Sequence, residues 1–158
     1  MKRLILIDSH AIIHRAFHAL PPLTSPAGEP VQAVYGFASI LLKILRELKP
    51  DYAVAAFDRA EPTFRHVAFE RYKATRVKAP DELYQQIPLV QELLAAFGIP
   101  TLDKQGFEAD DIIGTVATAV RRKHPAVEII VVTGDLDTLQ LVDERVKVFT
   151  MRKGVTDT

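Results

Sequence analysis

The chain has 158 residues, 48% of them apolar and 25% charged, which is typical of a globular domain large enough to bury a core. Twenty Lys and Arg balance twenty Asp and Glu, which excludes a histone-like polycation, and the lack of cysteine excludes disulfides and cysteine-ligated zinc. No apolar run approaches the roughly 18 residues of a membrane span, and the stretch after Met1 is too short for a signal peptide. We therefore expect a cytoplasmic location and no membrane partner.

Short apolar segments alternate with helical patterns along the chain. In chain order the predicted elements are a strand over 3–7, a helix over 31–48, a strand over 52–57, a helix over 81–97, a weaker strand near 99–102, a helix over 108–123, a strand over 127–132 and a weaker strand over 146–149. The Pro- and Gly-rich residues 21–30 predict a surface loop. This alternation predicts one α/β domain over 1–158, with three layers, α/β/α, around a mostly parallel sheet.

Acidic residues directly follow the predicted strands or lie at the start of the helix that follows one of them. In an open parallel sheet, ligands bind beyond the carboxyl ends of the strands, so these acids should converge at one edge. We predict that seven carboxylates form a metal centre there: Asp8, Asp58, Glu108, Asp110, Asp111, Asp135 and Asp137.

Seven converging carboxylates repel one another unless cations neutralise them. Oxygen ligands suit Mg²⁺ or Mn²⁺, and two such ions about 3.5–4 Å apart can hydrolyse a phosphodiester. One aspartate after a strand is commonly a turn or cap residue, and Asp110 and Asp111 could merely complement a helix dipole. Repetition of the acids at each strand end favours the metal centre.

Basic residues concentrate in the segment 59–78, which has six basic and two acidic residues, a net charge of +4. The segment 101–144 has nine acidic and four basic residues, a net charge of −5. A basic segment next to an acidic metal centre suits a polyanionic substrate. We expect Lys73 and Arg76 to contact phosphate, and Phe64 and Phe69 to pack inward rather than stack on bases.

Three histidines, His10, His14 and His18, recur every four residues after Asp8. Their spacing places them near one helix face if that segment is helical, where packing is favoured over metal binding. Arg15 is the cation closest in sequence to this first strand end.

Several motifs resemble one family in order and spacing. They include Leu6-Ile-Asp-Ser-His10, Tyr72-Lys-Ala-Thr-Arg76, Glu108-Ala-Asp-Asp-Ile-Ile-Gly114 and Thr133-Gly-Asp-Leu-Asp137. Over essentially its whole length the chain resembles the amino-terminal 5′-nuclease domain of bacterial DNA polymerase I, a member of the flap endonuclease superfamily with a PIN-like, resolvase-like fold.

The resemblance implies a 5′-3′ exonuclease or flap endonuclease that uses two Mg²⁺ or Mn²⁺ ions, and a basic helical arch over 59–80. Asp8, Asp58, Glu108, Asp110 and Asp111 resemble the first metal cluster, and Asp135 and Asp137 contribute to the second. Lys73, Arg76 and Arg15 resemble catalytic residues. The implied nucleic-acid-binding residues are Arg65, Tyr72, Lys73, Arg76 and Lys78. The implied partners are DNA with a 5′ single-stranded flap or an RNA–DNA primer junction, and a polymerase domain in the same chain.

Three features differ from the family pattern. Ser9 stands where the family usually has glycine, and Leu136 stands where a basic residue is frequent. The sequence ends at Thr158, before the region that supplies two further aspartates and a helix–hairpin–helix segment. We therefore expect an incomplete second metal site, weaker duplex affinity and low or absent turnover.

Three alternatives remain open at this stage. A PIN-type endoribonuclease also gathers acids at parallel strand ends. A phosphoacceptor signalling domain would use Asp58 and Asp8 but leaves the other acids and the basic segment unexplained. A DNA-binding remnant without catalysis fits the missing carboxyl-terminal region.

Overall fold

The computed structural model describes residues 1–59, 80–134 and 142–150. In order, the elements are β1 (Arg3–Asp8), α1 (Ser9–Ala19), α2 (Gln32–Leu48), β2 (Tyr52–Ala56), α3 (Asp81–Ala96), β3 (Thr101–Leu102), α4 (Ala109–Lys123), β4 (Glu128–Val132) and β5 (Val146–Phe149). Every strand and helix predicted within the described residues is present, with ends shifted by no more than two residues. The predicted arch over 59–80 lies outside the described residues, except for Arg59 and Pro80.

Helix α1 is the element that the sequence predicted only conditionally. Its residues carry three histidines and an arginine, which blur the apolar pattern. Its buried face is nevertheless helical in spacing, with Ile12, Ile13 and Ala16 fully covered. The loop predicted over 21–30 is confirmed and is closed by an isolated bridge between Thr24 and Pro30.

The five strands form one parallel sheet in the order β3-β2-β1-β4-β5. Strands β2 and β3 are added in sequence order on one side of β1, and β4 and β5 are added on the other side. The direction of winding therefore reverses between β1 and β4. In open α/β sheets this switch point is where ligands bind, at the carboxyl ends of the strands.

Alternate residues of the central strands enter two separate cores, because successive side chains of a strand point to opposite faces. Ile5, Ile7, Ile130 and Val132 belong to the core beneath α1, α2 and α3. Their neighbours in the sequence belong to the core beneath α4, namely Leu4, Leu6, Ile129 and Val131. The predicted α/β/α layering is thus confirmed.

Close packing of α1 against α2 depends on a glycine. A Cβ atom placed on Gly36 would lie 2.6 Å from the Cβ of Ala16, which is too close for any side chain. Gly36 therefore allows the two helices to approach, and this fixes α1 and the strand end from which it starts.

A buried glutamine joins α3 to the start of α2. The side-chain oxygen Oε1 of Gln86 accepts hydrogen bonds from the backbone N–H groups of Ala33 (2.7 Å) and Val34 (3.2 Å). Its Nε2 donates to Oε1 of Gln32 (3.2 Å) and to the carbonyl of Glu82 (3.1 Å). Gln86 thus supplies from another helix the cap that α2 lacks at its own N-cap residue, Val31.

Among the described residues, no helix is both long and apolar enough to cross a bilayer.

Candidate active site at the carboxyl edge of the sheet

Asp8 lies at the switch point between β1 and β4. It ends β1, is only 4% exposed, and serves as the N-cap of α1, with Oδ1 accepting from the N–H of Ala11 (3.4 Å). Its Oδ2 accepts from Oγ1 of Thr133, which directly follows β4 (2.8 Å). The hydroxyl holds the carboxylate in place without neutralising its charge.

Asp58 lies beyond the end of the neighbouring strand β2, whose residue Ala56 is in register with Asp8. Its Oδ1 accepts from the backbone N–H of Ala109, the first residue of α4 (2.5 Å). One carboxylate therefore connects the end of β2 to the amino end of α4, where the helix dipole favours negative charge.

The amino end of α4 carries the three acidic residues that the sequence singled out. Glu108 is the N-cap, is 6% exposed, and forms a reciprocal capping box with Asp111. The N–H of Glu108 donates to Oδ2 of Asp111 (2.9 Å). Asp110 is half-buried in the same first turn. Glu108 and Asp111 thus cap the same helix end that is hydrogen-bonded to Asp58. Their capping role therefore also places them at this edge of the sheet.

His10, in the first turn of α1, contacts Asp58. Its Nδ1 accepts from the backbone N–H of Asp58 (3.1 Å), and its ring packs edge-on against Phe57 with centroids 5.6 Å apart. Burial lowers the pKa of His10 below its ordinary value, and the Asp58 carboxylate only partly opposes this shift. A neutral ring that accepts at Nδ1 matches the packing role predicted for this histidine.

Two arginines follow the acidic strand ends in the sequence. Arg15 is half-buried on α1, seven residues beyond Asp8, which is about 10 Å along the helix axis. Arg59 follows Asp58 directly and pairs through Nε with Oδ2 of Asp103 (3.1 Å).

Several predicted site residues lie outside the described residues. They are the late aspartates Asp135 and Asp137, and the nucleic-acid-binding residues Arg65, Tyr72, Lys73, Arg76 and Lys78. Their roles stay predictions.

The structure brings Asp8, Asp58 and the acidic turn of α4 to one edge of the sheet. Within residues 1–59, 80–134 and 142–150, however, no three acidic or histidine side chains converge closely enough to hold an ion. Carboxylates repel one another without a cation between them, and here backbone and hydroxyl donors hold them in place. The metal centre predicted from the sequence remains a prediction.

Two residues at this edge were not assigned a site role from the sequence. Thr133 orients Asp8, and His10 contacts both the backbone and the carboxylate region of Asp58. The position of Thr133 directly after an apolar strand was the available signal. Its partner, however, lies 125 residues away, and only the strand order brings the two together.

Comparison with known proteins gives a family match over nearly the whole chain. The model of the 5′-3′ exonuclease, N-terminal resolvase-like domain matches residues 3–158. DNA polymerase I of Bacillus caldotenax is 46% identical over 156 residues, which are 99% of this chain and 18% of that protein. The thermostable DNA polymerase I of Thermus thermophilus is 44% identical over 146 residues, 92% of this chain and 17% of that protein. The chain thus spans less than a fifth of the length of these relatives.

Solved structures show the same fold at low identity. The bacteriophage T5 flap endonuclease, in a pseudo-enzyme-product complex with DNA and metal ions, aligns with a TM-score of 0.74 and 15% identity, covering 94% of this chain and 55% of that chain. The catalytic core of Rad2 in complex with a DNA substrate aligns with a TM-score of 0.51 and 23% identity, covering 94% and 43%. The resemblance and the PIN-like fold inferred from the sequence are confirmed.

Proposed function

The chain belongs to the family of 5′-3′ exonuclease N-terminal resolvase-like domains, and we propose that residues 1–158 form a metal-dependent nuclease domain. The reaction is hydrolysis of a DNA phosphodiester: water attacks phosphorus, and the bond to the leaving sugar oxygen breaks. The substrate is DNA with a 5′ single-stranded flap or an RNA–DNA primer junction, processed in DNA replication and repair.

One observation carries this proposal. Two neighbouring parallel strands present Asp8, at the switch point of the sheet, and Asp58, beside it, and the acidic amino end of α4 is hydrogen-bonded to Asp58. Ligands bind at this position in open α/β sheets, and the residues gathered there are carboxylates.

The donor set fits hard divalent cations, because it consists of carboxylate oxygens and two of the carboxylates, Asp8 and Glu108, are more than nine-tenths buried. We propose that Mg²⁺ or Mn²⁺ is held by Asp8, Asp58, Glu108, Asp110 and Asp111, with Asp135 and Asp137 contributing to a second ion. When bound, such ions lower the pKa of water and stabilise the leaving oxygen.

The remaining residues position these carboxylates or bind phosphate. Thr133 and the N–H of Ala109 fix the orientation of Asp8 and Asp58. Arg15 supplies positive charge to the cleaved phosphate from α1. Lys73 and Arg76 hold the scissile phosphate, while Tyr72, Arg65 and Lys78 bind the strand.

The relatives named DNA polymerase I support a further part of the proposal, a polymerase domain in the same natural chain. These relatives come from bacteria, whose chromosomal DNA lies in the cytoplasm, and we propose this location for the protein.

The test is cleavage of a 5′-flap duplex and of a matched RNA hairpin, each with Mg²⁺, Mn²⁺ or EDTA. We expect any cleavage to fall on the flap substrate, to occur with either metal and to be absent with EDTA. Cleavage of the RNA hairpin alone would favour the PIN-type endoribonuclease. Metal-dependent binding of the flap without any cleavage would instead identify a non-catalytic DNA-binding domain. Cleavage that persists in EDTA would contradict the metal mechanism.

A further inference from the structure

The peptide N–H of Asp58 lies just beyond the end of β2. The N–H groups along a strand of a parallel sheet point alternately to its two neighbouring strands. On the β3 side, the N–H of Ala55 donates to the carbonyl of Pro100 (3.0 Å). The N–H of Phe57 donates on the same side, to the carbonyl of Leu102 (2.8 Å). By this alternation the N–H of Asp58 points away from β3, toward the side of β1.

On that side β1 has already ended, because Asp8 is its last residue and the chain continues as α1. His10 supplies the acceptor there, with its Nδ1 accepting from the N–H of Asp58 (3.1 Å). The histidine thus replaces the carbonyl that a longer β1 would offer to a half-buried peptide group. Its side chain is only 17% exposed and packs edge-on against Phe57, so the accepting nitrogen is held in place.

The turn of α1 that carries His10 also starts from Asp8, whose carboxylate caps the helix at the N–H of Ala11. One short segment therefore contains one strand-end aspartate and binds the backbone of the other. The carboxylate of Asp58 is bonded separately, by the N–H of Ala109 on α4. Asp58 is thus fixed at its backbone by α1 and at its side chain by α4.

Building on the metal-dependent nuclease function proposed above, we propose that His10 is a positioning residue for the metal centre. Its Nδ1 fixes the backbone of Asp58 and thereby the spacing between the carboxylates of Asp8 and Asp58. His10 acts in this role through its hydrogen-bond acceptor rather than through the packing of its ring, and only by way of Asp58.

Loss of this acceptor should affect function more than stability. A cavity of about 750 Å³ lies beside Asp58 and is also lined by His10, His14 and Asp81. Water in a cavity with such polar walls can accept from the N–H of Asp58 when His10 is replaced. A water molecule satisfies the peptide group, but it does not hold that group at a fixed distance from Asp8.

The acceptor and the ring of His10 can be removed one at a time. His10→Asn removes the ring but keeps an acceptor in nearly the same place, because Oδ1 of asparagine and Nδ1 of histidine are both attached to Cγ. His10→Leu keeps apolar bulk beside Phe57 and has no acceptor. We expect His10→Leu to weaken Mn²⁺ binding, measured by titration calorimetry, roughly 10- to 100-fold, the usual effect of losing a group that orients a metal ligand. Flap cleavage at limiting Mg²⁺ should fall by a similar factor, and His10→Asn should stay close to wild type in both measurements.

Hydrogen exchange at the Asp58 amide, followed by NMR, tests the bond itself without metal or substrate. The amide should lose its protection in His10→Leu and keep it in His10→Asn. His18→Leu is the matched control, because it makes the same substitution at an exposed residue of α1 whose ring contacts Phe17 and His14. This control should bind Mn²⁺, cleave and exchange like the wild type, and urea unfolding verifies that each variant is folded.

The positioning role is overturned if His10→Asn loses metal binding while His10→Leu keeps it, because the ring and not the acceptor would then matter. It is also overturned if both variants bind Mn²⁺ like the wild type, or if both lose binding equally. Wild-type cleavage together with unchanged binding in His10→Leu rejects this role alone. A wild-type protein that neither binds Mn²⁺ nor cleaves, but whose Asp58 amide responds to His10→Leu, rejects the nuclease function and leaves only the hydrogen bond standing.

Discussion

At the amino edge of the sheet, Glu128 is held by two cationic side chains, whereas at the carboxyl edge Asp8 and Asp58 are held by hydroxyl and amide donors. Glu128 accepts from Nε of Arg3 and from Nζ of Lys147, each at 2.7 Å. Asp8 accepts from Thr133, and Asp58 accepts from the N–H of Ala109. A cationic partner offsets the charge of the carboxylate that it holds, whereas these hydroxyl and amide contacts fix a carboxylate without bringing an opposite charge to it. We infer that the amino edge contributes to stability and the carboxyl edge to function.

The largest expected effect comes from removing a carboxylate at the carboxyl edge. Asp58→Ala should lower the rate of flap cleavage at least about 100-fold, since even residues that only support a metal ligand are worth 10- to 100-fold. The variant also loses the bond from Ala109 N–H, so the free energy of unfolding should fall by about 1 kcal/mol. Cleavage kinetics and urea unfolding measure the two effects.

Asp51→Ala is the matched control for Asp58→Ala and lies at the amino edge, where Asp51 pairs with Lys2 and accepts from the N–H of Arg3. This variant should cleave like the wild type. Equal loss of cleavage in both variants would remove the distinction between the edges.

A smaller effect is expected from the hydroxyl that orients Asp8. Thr133→Val keeps the shape of the buried side chain but removes its hydrogen bond, and we expect cleavage or metal affinity to fall roughly 10- to 100-fold. Metal titration followed by cleavage assays measures this. Thr118→Val removes an equivalent hydroxyl bond on the exposed side of α4 and should leave cleavage unchanged. If both variants behave alike, Thr133 does not orient a ligand.

The packing that fixes α1 can be tested without substituting a residue of either edge. In Gly36→Ala the new methyl group would collide with Ala16, and overpacking costs about 1–3 kcal/mol. The gain in helix propensity from Gly to Ala offsets about 1 kcal/mol of this, so we expect a net loss of up to about 2 kcal/mol in thermal or urea unfolding.

Gly114→Ala is the control, because nothing lies within 4 Å of the added methyl group in α4. The same propensity gain should stabilise this variant by about 0.5–1 kcal/mol. Stabilisation of both variants would show that α1 and α2 can separate enough to admit a side chain.

The smallest expected effect is the pH dependence at the amino edge. Hydrogen bonds from Lys147 and Arg3 lower the pKa of Glu128 below its ordinary value of 4.5. A carboxylate with a lowered pKa stabilises the fold above its ordinary pKa, and this contribution is lost as the pH falls through the lowered value. Glu128→Gln should therefore be less stable than wild type by no more than about 1 kcal/mol near pH 7, because both cations are more than one-third exposed.

Urea unfolding of wild type and Glu128→Gln at a series of pH values measures this difference, which should shrink below pH 4.5. Glu144→Gln removes the same charge from an exposed position and is the control. A difference that grows on acidification would contradict the assigned direction.

The sequence predicted which acidic residues lie at this edge of the sheet, but it did not predict the hydrogen bonds that hold their side chains. Asp8, Asp58 and Glu108 were expected at one edge because each adjoins a predicted strand or helix end, and the structure places them there. The bond between Asp8 and Thr133 was not predictable, since it depends on β4 lying beside β1 rather than beside β3. The cap that Gln86 provides to α2 was missed for the same reason, because its partners are more than 50 residues away.

Local patterns by themselves determined the strands, most of the helices, the layered α/β class and the acidic strand ends. Apolar periodicity and terminal residues act over a few neighbouring positions, so they can be read from the chain. The tertiary structure alone decided the strand order, the orientation of the carboxylates and the cavity beside Asp58. These depend on which elements pack against each other, and that choice is made by burying both faces of the sheet at once.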